Sequence, residues 1–237
     1  MGQTAGTVAE TVTERALDLV GDVKPRLRGW FHAVAAPVAL AAGVPLVALA
    51  PTGSARNATI VFVGCTFLNF SVSAMMHRGR WSPQALWVIT RLDHASIFLV
   101  IAGCYTSIAL LLLDGQGQRI MVTVIWTGAA VGTWVRISWT DAPRWGHVSL
   151  YIGLGLLVVF FVRDITAQAR PDVMVMLGTA AALYVAGAVV YALRRPDPLP
   201  RWFGFHEVFH ALTVLAFAAH YVALTITVHS LPLTGAV

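Results

Sequence analysis

The sequence predicts an all-α, polytopic membrane protein: a bundle of seven transmembrane helices with a cytoplasmic N-terminus. Three observations carry that prediction, namely an apolar composition, seven apolar runs of membrane-spanning length, and a one-sided distribution of Lys and Arg. Of the 237 residues, 57% are hydrophobic and 11% are charged. A soluble domain usually carries about 25% charge. A soluble chain of this length could not cover its surface with so few charged groups, whereas a lipid-embedded one need not. The net charge of +5 comes from short basic clusters between apolar runs, which is a topology signal rather than a nucleic-acid-binding patch.

Residues 1–24 are polar and helix-prone and form a cytoplasmic N-terminal segment; residues 25–237 form one seven-span domain. Val8, Val12, Ala16 and Val20 are spaced four apart with acids between them, so an interfacial helix and a frayed tail both stay open. This stretch is not the short basic leader of a secreted protein. The apolar runs cover residues 30–50, 58–76, 89–113, 120–137, 146–162, 173–193 and 203–228. Each approaches the ~20 residues that cross ~30 Å of hydrocarbon as a helix. Helix breakers separate them: Pro51 with Gly53, Gly79 with Pro83, Gly115 with Gly117, Pro143, Pro171, and the Pro196, Pro198, Pro200 series. The fifth run is the shortest, and a re-entrant fifth segment would leave six spans.

Basic residues orient the bundle. Arg15, Lys24, Arg26 and Arg28 precede the first span. Arg78, Arg80 and Arg91 lie between the second and third, Arg136 and Arg144 between the fourth and fifth, and Arg194, Arg195 and Arg201 between the sixth and seventh. The opposite side holds only Arg56, Arg119, Arg163 and Arg170. Every loop agrees, so the reading is an integral plasma-membrane protein with its C-terminus outside. Cys65 and Cys104 fall within apolar runs and read as buried thiols rather than a disulfide.

Ionisable side chains inside a span mark functional candidates. Ser73 and His77 are four apart in the second span and share a helix face. Asp93 follows Arg91 near the start of the third, with His94 beside it. His206 and His210 repeat the four-residue spacing in the seventh. The alternating direction of the spans places His77, Asp93, His206 and His210 at a similar depth, near the basic end. Three imidazoles with an open fourth position suit catalytic zinc, which supplies hydroxide near neutral pH. Asp93 would orient or deprotonate the water, and Ser73 would bond the water or a substrate carbonyl oxygen.

Blander readings stand beside this one. A histidine at a helix end commonly reaches interfacial water, Asp93 suits a helix N-terminus or a pair with Arg91, and Ser73 suits helix packing. His206, Glu207 and His210 also spell HExxH, in which the Glu is the general base of a metalloprotease. Gly128 and Gly132 form GxxxG, and Gly153 and Gly155 thin the fifth span; both pairs read as packing sites. His32, His147, His220 and His229 receive no role, although His220 at mid-membrane depth requires a partner.

Three blocks of sequence resemble the hemolysin III branch of the progestin and adipoQ receptor (PAQR) family. They are Ser73-Ala-Met-Met-His77; Leu92-Asp93-His94-Ala95-Ser96-Ile97 with Ala102-Gly103 and Tyr105-Thr106; and Phe203-Gly204-Phe205-His206-Glu207-Val208-Phe209-His210 followed by His220-Tyr221. The resemblance runs from Pro25 onward. It implies a seven-helix bundle and one zinc ion held by His77, His206 and His210, with Asp93 and Ser73 beside the metal. The family is distantly similar to alkaline ceramidases, which implies hydrolysis of a lipid amide. Where many bacterial relatives carry a glutamate shortly before the first span, this sequence has Pro25, Arg26, Leu27 and Arg28, with His32 just inside.

The leading expectation is a zinc-dependent membrane hydrolase acting on lipid-like amides, with Asp93 and Ser73 catalytic, Zn2+ as cofactor and a membrane lipid as substrate or ligand. The alternative is a receptor-like regulator of membrane lipid composition in which zinc is structural. A pore or haemolytic protein ranks lower, because the polar groups cluster at one depth instead of tracing a path.

Overall fold

The computed structural model describes residues 25–139 and 144–231, so the polar segment 1–24 lies outside the described residues. Seven helices are long and apolar enough to cross a membrane. In chain order they are α1 (Trp30–Leu49), α2 (Ser54–Arg78), α3 (Pro83–Leu112), α4 (Gly115–Ser138), a fifth span in three pieces, α7 (Pro171–Leu193) and α8 (Phe205–Ser230). The fifth span consists of α5 (Arg144–Gly155), a 3-10 turn (Leu156–Phe161) and α6 (Val162–Gln168). No strand occurs among the described residues. In lipid every backbone polar group must be satisfied within the protein, and helices meet that demand segment by segment.

Several helices extend beyond their apolar runs because local signals set their ends. α3 begins at Pro83, six residues before its run, since the Ser82 hydroxyl accepts from the Ala85 amide and Pro83 occupies the first turn. Proline there gives up an amide that no helical carbonyl would have paired. α8 begins at Phe205, where the Glu207 carboxylate reaches back to the Gly204 amide at 2.9 Å. That contact is the carboxylate half of a capping box.

α3 is the axis of the bundle: 67% of its apolar window is buried, against 17% for the fifth and sixth spans. It packs on α2, α4, the fifth span and α8, while α8 also closes onto α1, α2 and α7. The outer surface is hydrophobic, as a lipid-facing surface must be, with Phe160 81% and Trp134 68% exposed. Both cysteines are free.

The fifth span does not run as one regular helix, and Tyr105 of α3 accounts for the break. Its hydroxyl donates to the Gly155 carbonyl and accepts from the Val158 amide, at 3.0 Å for the latter. An inserted side chain is a common cause of an interrupted helix, and here it satisfies backbone groups that the 3-10 turn leaves over. The two glycines of GxxxG serve two different neighbours. The position a Gly132 Cβ would take is filled by the Phe98 ring of α3, and that of Gly128 by Leu154 of the fifth span.

Candidate metal centre

The end of α2 and the start of α8 meet at one end of the bundle. His77 lies in the last turn of α2, and His206 and His210 occupy successive turns of α8, on one face by virtue of their spacing. The Nε2 atoms of His77 and His206 are 3.1 Å apart. Ring centroids are 4.8 Å apart for His77–His206, 5.1 Å for His77–His210 and 4.6 Å for His206–His210. Each ring offers a nitrogen, and the three lie within 4.8 Å of one another. His77 and His210 are buried and His206 is half-buried. The Nε2 atom of His210 is buried with no hydrogen-bond partner. A buried polar atom without a partner is costly, and a cation among the three nitrogens would satisfy it. The group could therefore hold a metal ion.

Ser73 lies one turn along α2 from His77 and is 2% exposed. Its hydroxyl lies within interaction range of the Asp93 side chain of α3, as does Arg136 of α4. The layer beneath is tied across the same two helices: Asn69 Nδ2 donates to Ser96 Oγ at 2.8 Å, and Ser96 Oγ donates to the Asp93 carbonyl at 2.6 Å. The Tyr151 hydroxyl of the fifth span donates to the His94 carbonyl at 3.2 Å. Four spans thus converge on Asp93, although its carboxylate is not one of the atoms grouped with the three imidazoles.

The Glu of the HExxH match faces elsewhere. Glu207 is fully buried, one oxygen paired with Arg28 and the other accepting from the Gly204 amide. It ties the chain before α1 to the start of α8. Two backbone bonds reinforce that tie, from Arg26 N to the Arg201 carbonyl (3.1 Å) and from Leu27 N to the Trp202 carbonyl (3.2 Å). Gly29 follows in the left-handed conformation at φ 81°, and a Cβ there would come within 2.5 Å of His77 Cβ. Only glycine meets both the backbone angle and the close approach.

Sequence reasoning gave His32 no role, yet it is buried at 4% exposure beside the centre. His210 Nδ1 lies 3.0 Å from each of its ring nitrogens. Its depth could have found it: His32 is near the start of a span at the basic end, as are the other histidines of the cluster. His220 does find the partner its depth requires, in Ser107 Oγ at 2.9 Å from its Nε2, and it stacks on Phe62 with centroids 4.8 Å apart.

Fold and site together define a class: a seven-span helical membrane protein with a buried histidine triplet, fit for a metal, at one end of the bundle. Within that class the chain belongs to the haemolysin-III related family, whose pattern matches residues 21–221. It is similar to Hemolysin-3 of Bacillus cereus, 28% identical over 140 residues, which is 59% of this chain and 64% of that protein. The match therefore spans a little under two thirds of that relative's length.

Proposed function

We propose that the protein is a zinc-dependent hydrolase of lipid-like amides, working from the cytoplasmic end of the bundle. The observation that carries this reading is the convergence of three imidazole nitrogens next to a Ser73–Asp93 pair. Zinc–imidazole bonds of ~2.0–2.1 Å in tetrahedral geometry separate neighbouring nitrogens by about 3.3 Å, and His77 and His206 stand at 3.1 Å. An all-nitrogen donor set also suits zinc better than magnesium or calcium, which prefer oxygen. When bound, zinc supplies a Lewis acid that acidifies water and polarises a carbonyl oxygen.

The chain's own residues supply the proton handling. Asp93 accepts the proton of the attacking water at a carboxylate oxygen and returns it to the departing amine, so that amide and water become carboxylic acid and amine. Ser73, beside Asp93, turns its single hydroxyl proton to the oxygen on which negative charge develops once Asp93 has taken the proton of the water. Asn69 and Ser96 fix the α2–α3 spacing on which that pair depends. The twelve-to-four distribution of Arg and Lys supports a cytoplasmic position for this end.

The test is fatty-acid release from ceramide-like amides in detergent micelles by the zinc-loaded protein. Asp93→Asn should lower turnover by about 10²–10⁴-fold, the usual contribution of a positioned acid–base group, with zinc still bound. Full zinc occupancy with no turnover over a range of acyl chains and headgroups would support the second reading instead. In that reading the protein is a receptor-like regulator of membrane lipid composition with a structural zinc, and the burial of His77 and His210 favours it. The name of the Bacillus cereus relative, Hemolysin-3, refers to lysis. The buried polar groups argue against a pore, since Asn69–Ser96, Ser107–His220 and Thr106–Trp126 pair across helices.

A further inference from the structure

We propose that His32 is a positioning residue of the metal centre: it accepts the Nδ1 proton of His210 and thereby fixes the tautomer that presents the His210 Nε2 lone pair to the ion. The inference rests on the metal reading above and assigns a part to a residue outside the triplet.

The proton bookkeeping follows from three contacts. Thr213 Oγ1 lies 2.8 Å from the His210 carbonyl, which can only accept, so the one hydroxyl proton of Thr213 goes there. Thr213 Oγ1 also lies 3.2 Å from His32 Nε2. With its proton committed, Oγ1 must accept, and His32 Nε2 carries the hydrogen. Neutral His32 then has its lone pair on Nδ1. His210 Nδ1 lies 3.0 Å from that atom and 3.0 Å from His32 Nε2. Because the Nε2 hydrogen is given to Thr213, the contact with Nδ1 is the one that carries the hydrogen bond. His210 Nδ1 must donate, which leaves the lone pair of neutral His210 on Nε2. That is the buried atom for which the protein provides no partner. The opposite assignment would place a hydrogen on His210 Nε2, burying an unpaired donor and removing a ligand at once.

The surroundings hold His32 in this role. Its ring is 4.7 Å from that of Phe70 and lies at 87° to that of His210, centroids 4.0 Å apart. Metal-bound histidines usually give their second N–H to a carboxylate, a carbonyl or water, and loss of such a partner costs roughly 10–100-fold in metal affinity. Here a neutral imidazole from α1 takes that place. It couples the first span to a site otherwise built from α2 and α8, and it adds no negative charge beside the ion.

The experiment is zinc affinity by chelator competition on the full-length protein in detergent, for wild type, His32→Gln, His32→Leu and Thr213→Val. Visible spectra of the cobalt-substituted forms and melting curves in excess chelator accompany it. Glutamine carries an acceptor and a donor spaced much as the two imidazole nitrogens are, whereas leucine fills space without either. The expected result is a loss of roughly 10–100-fold for His32→Leu, with a shifted cobalt spectrum, and a loss within about threefold for His32→Gln. Thr213→Val should fall between them, and it serves as the removal variant should His32→Leu not fold. Wild-type affinity in a folded His32→Leu or Thr213→Val would overturn the proposal, as would a His32→Gln as weak as His32→Leu. A wild type that takes up no zinc would overturn the metal reading and this inference together.

Discussion

Among the described residues, two regions of this bundle bury histidine, and they do so differently. In mid-membrane, His220 is alone: one hydroxyl from Ser107 and one aromatic face from Phe62 accommodate it. At the basic end, His32, His77, His206 and His210 come together from three helices, and their mutual contacts leave His210 Nε2 without a partner. Burial of an imidazole alone therefore does not mark a ligand. Convergence from several helices with an unsatisfied buried nitrogen does, because a buried polar atom left without a partner is costly.

The largest effect should separate the two regions by affinity. His206→Ala should weaken zinc binding by well over the roughly 10–100-fold expected for loss of an outer partner, whereas His220→Ala should leave zinc affinity unchanged. The His220 variant should lose stability instead, by about 1–3 kcal/mol for a vacated buried polar site, read from unfolding curves in mixed micelles. Equal loss of zinc in both variants would erase the distinction.

A smaller effect sharpens the account of how the basic end is assembled. Gly29 and Gly115 both have positive φ, at 81° and 54°, but only Gly29 abuts another residue, His77. Alanine at either position should lower stability by about 1–2 kcal/mol for the left-handed backbone. Only Gly29→Ala should also weaken zinc binding, since its Cβ displaces His77. The smallest effect concerns Glu207. Glu207→Gln keeps an acceptor for the Gly204 amide and loses the ionic contact with Arg28, so stability should fall by about 1–3 kcal/mol, within the range for charged hydrogen bonds. Zinc stoichiometry should remain that of wild type. A loss of zinc there would restore the HExxH match as part of the metal site.

The spans were legible because membrane thickness fixes their length, and a run of apolar residues reads as a helix whatever surrounds it. Their ends were less so: the helix at Pro83 starts in polar sequence, where Ser82 caps it. The broken fifth helix was visible only as a short, glycine-containing run, since its cause is a tyrosine some 50 residues away. At the site, the four-residue spacings on α2 and α8 revealed His77, His206 and His210, because helical periodicity encodes a shared face. Spacing and depth named Ser73 and Asp93 as catalytic candidates. His32 has no partner at helical spacing, and its link to His210 spans 178 positions. The pairing of Arg28 with Glu207, 179 apart, was equally hidden, and the local HExxH pattern pointed instead to a general base.

The central claim is that the histidine triplet is a zinc site, and metal content tests it most directly. Elemental mass spectrometry of detergent-purified protein should find about one zinc per chain in wild type and almost none in His210→Ala, as expected when one of three imidazole ligands is removed. A folded wild type that carries no zinc after zinc has been supplied would contradict the account.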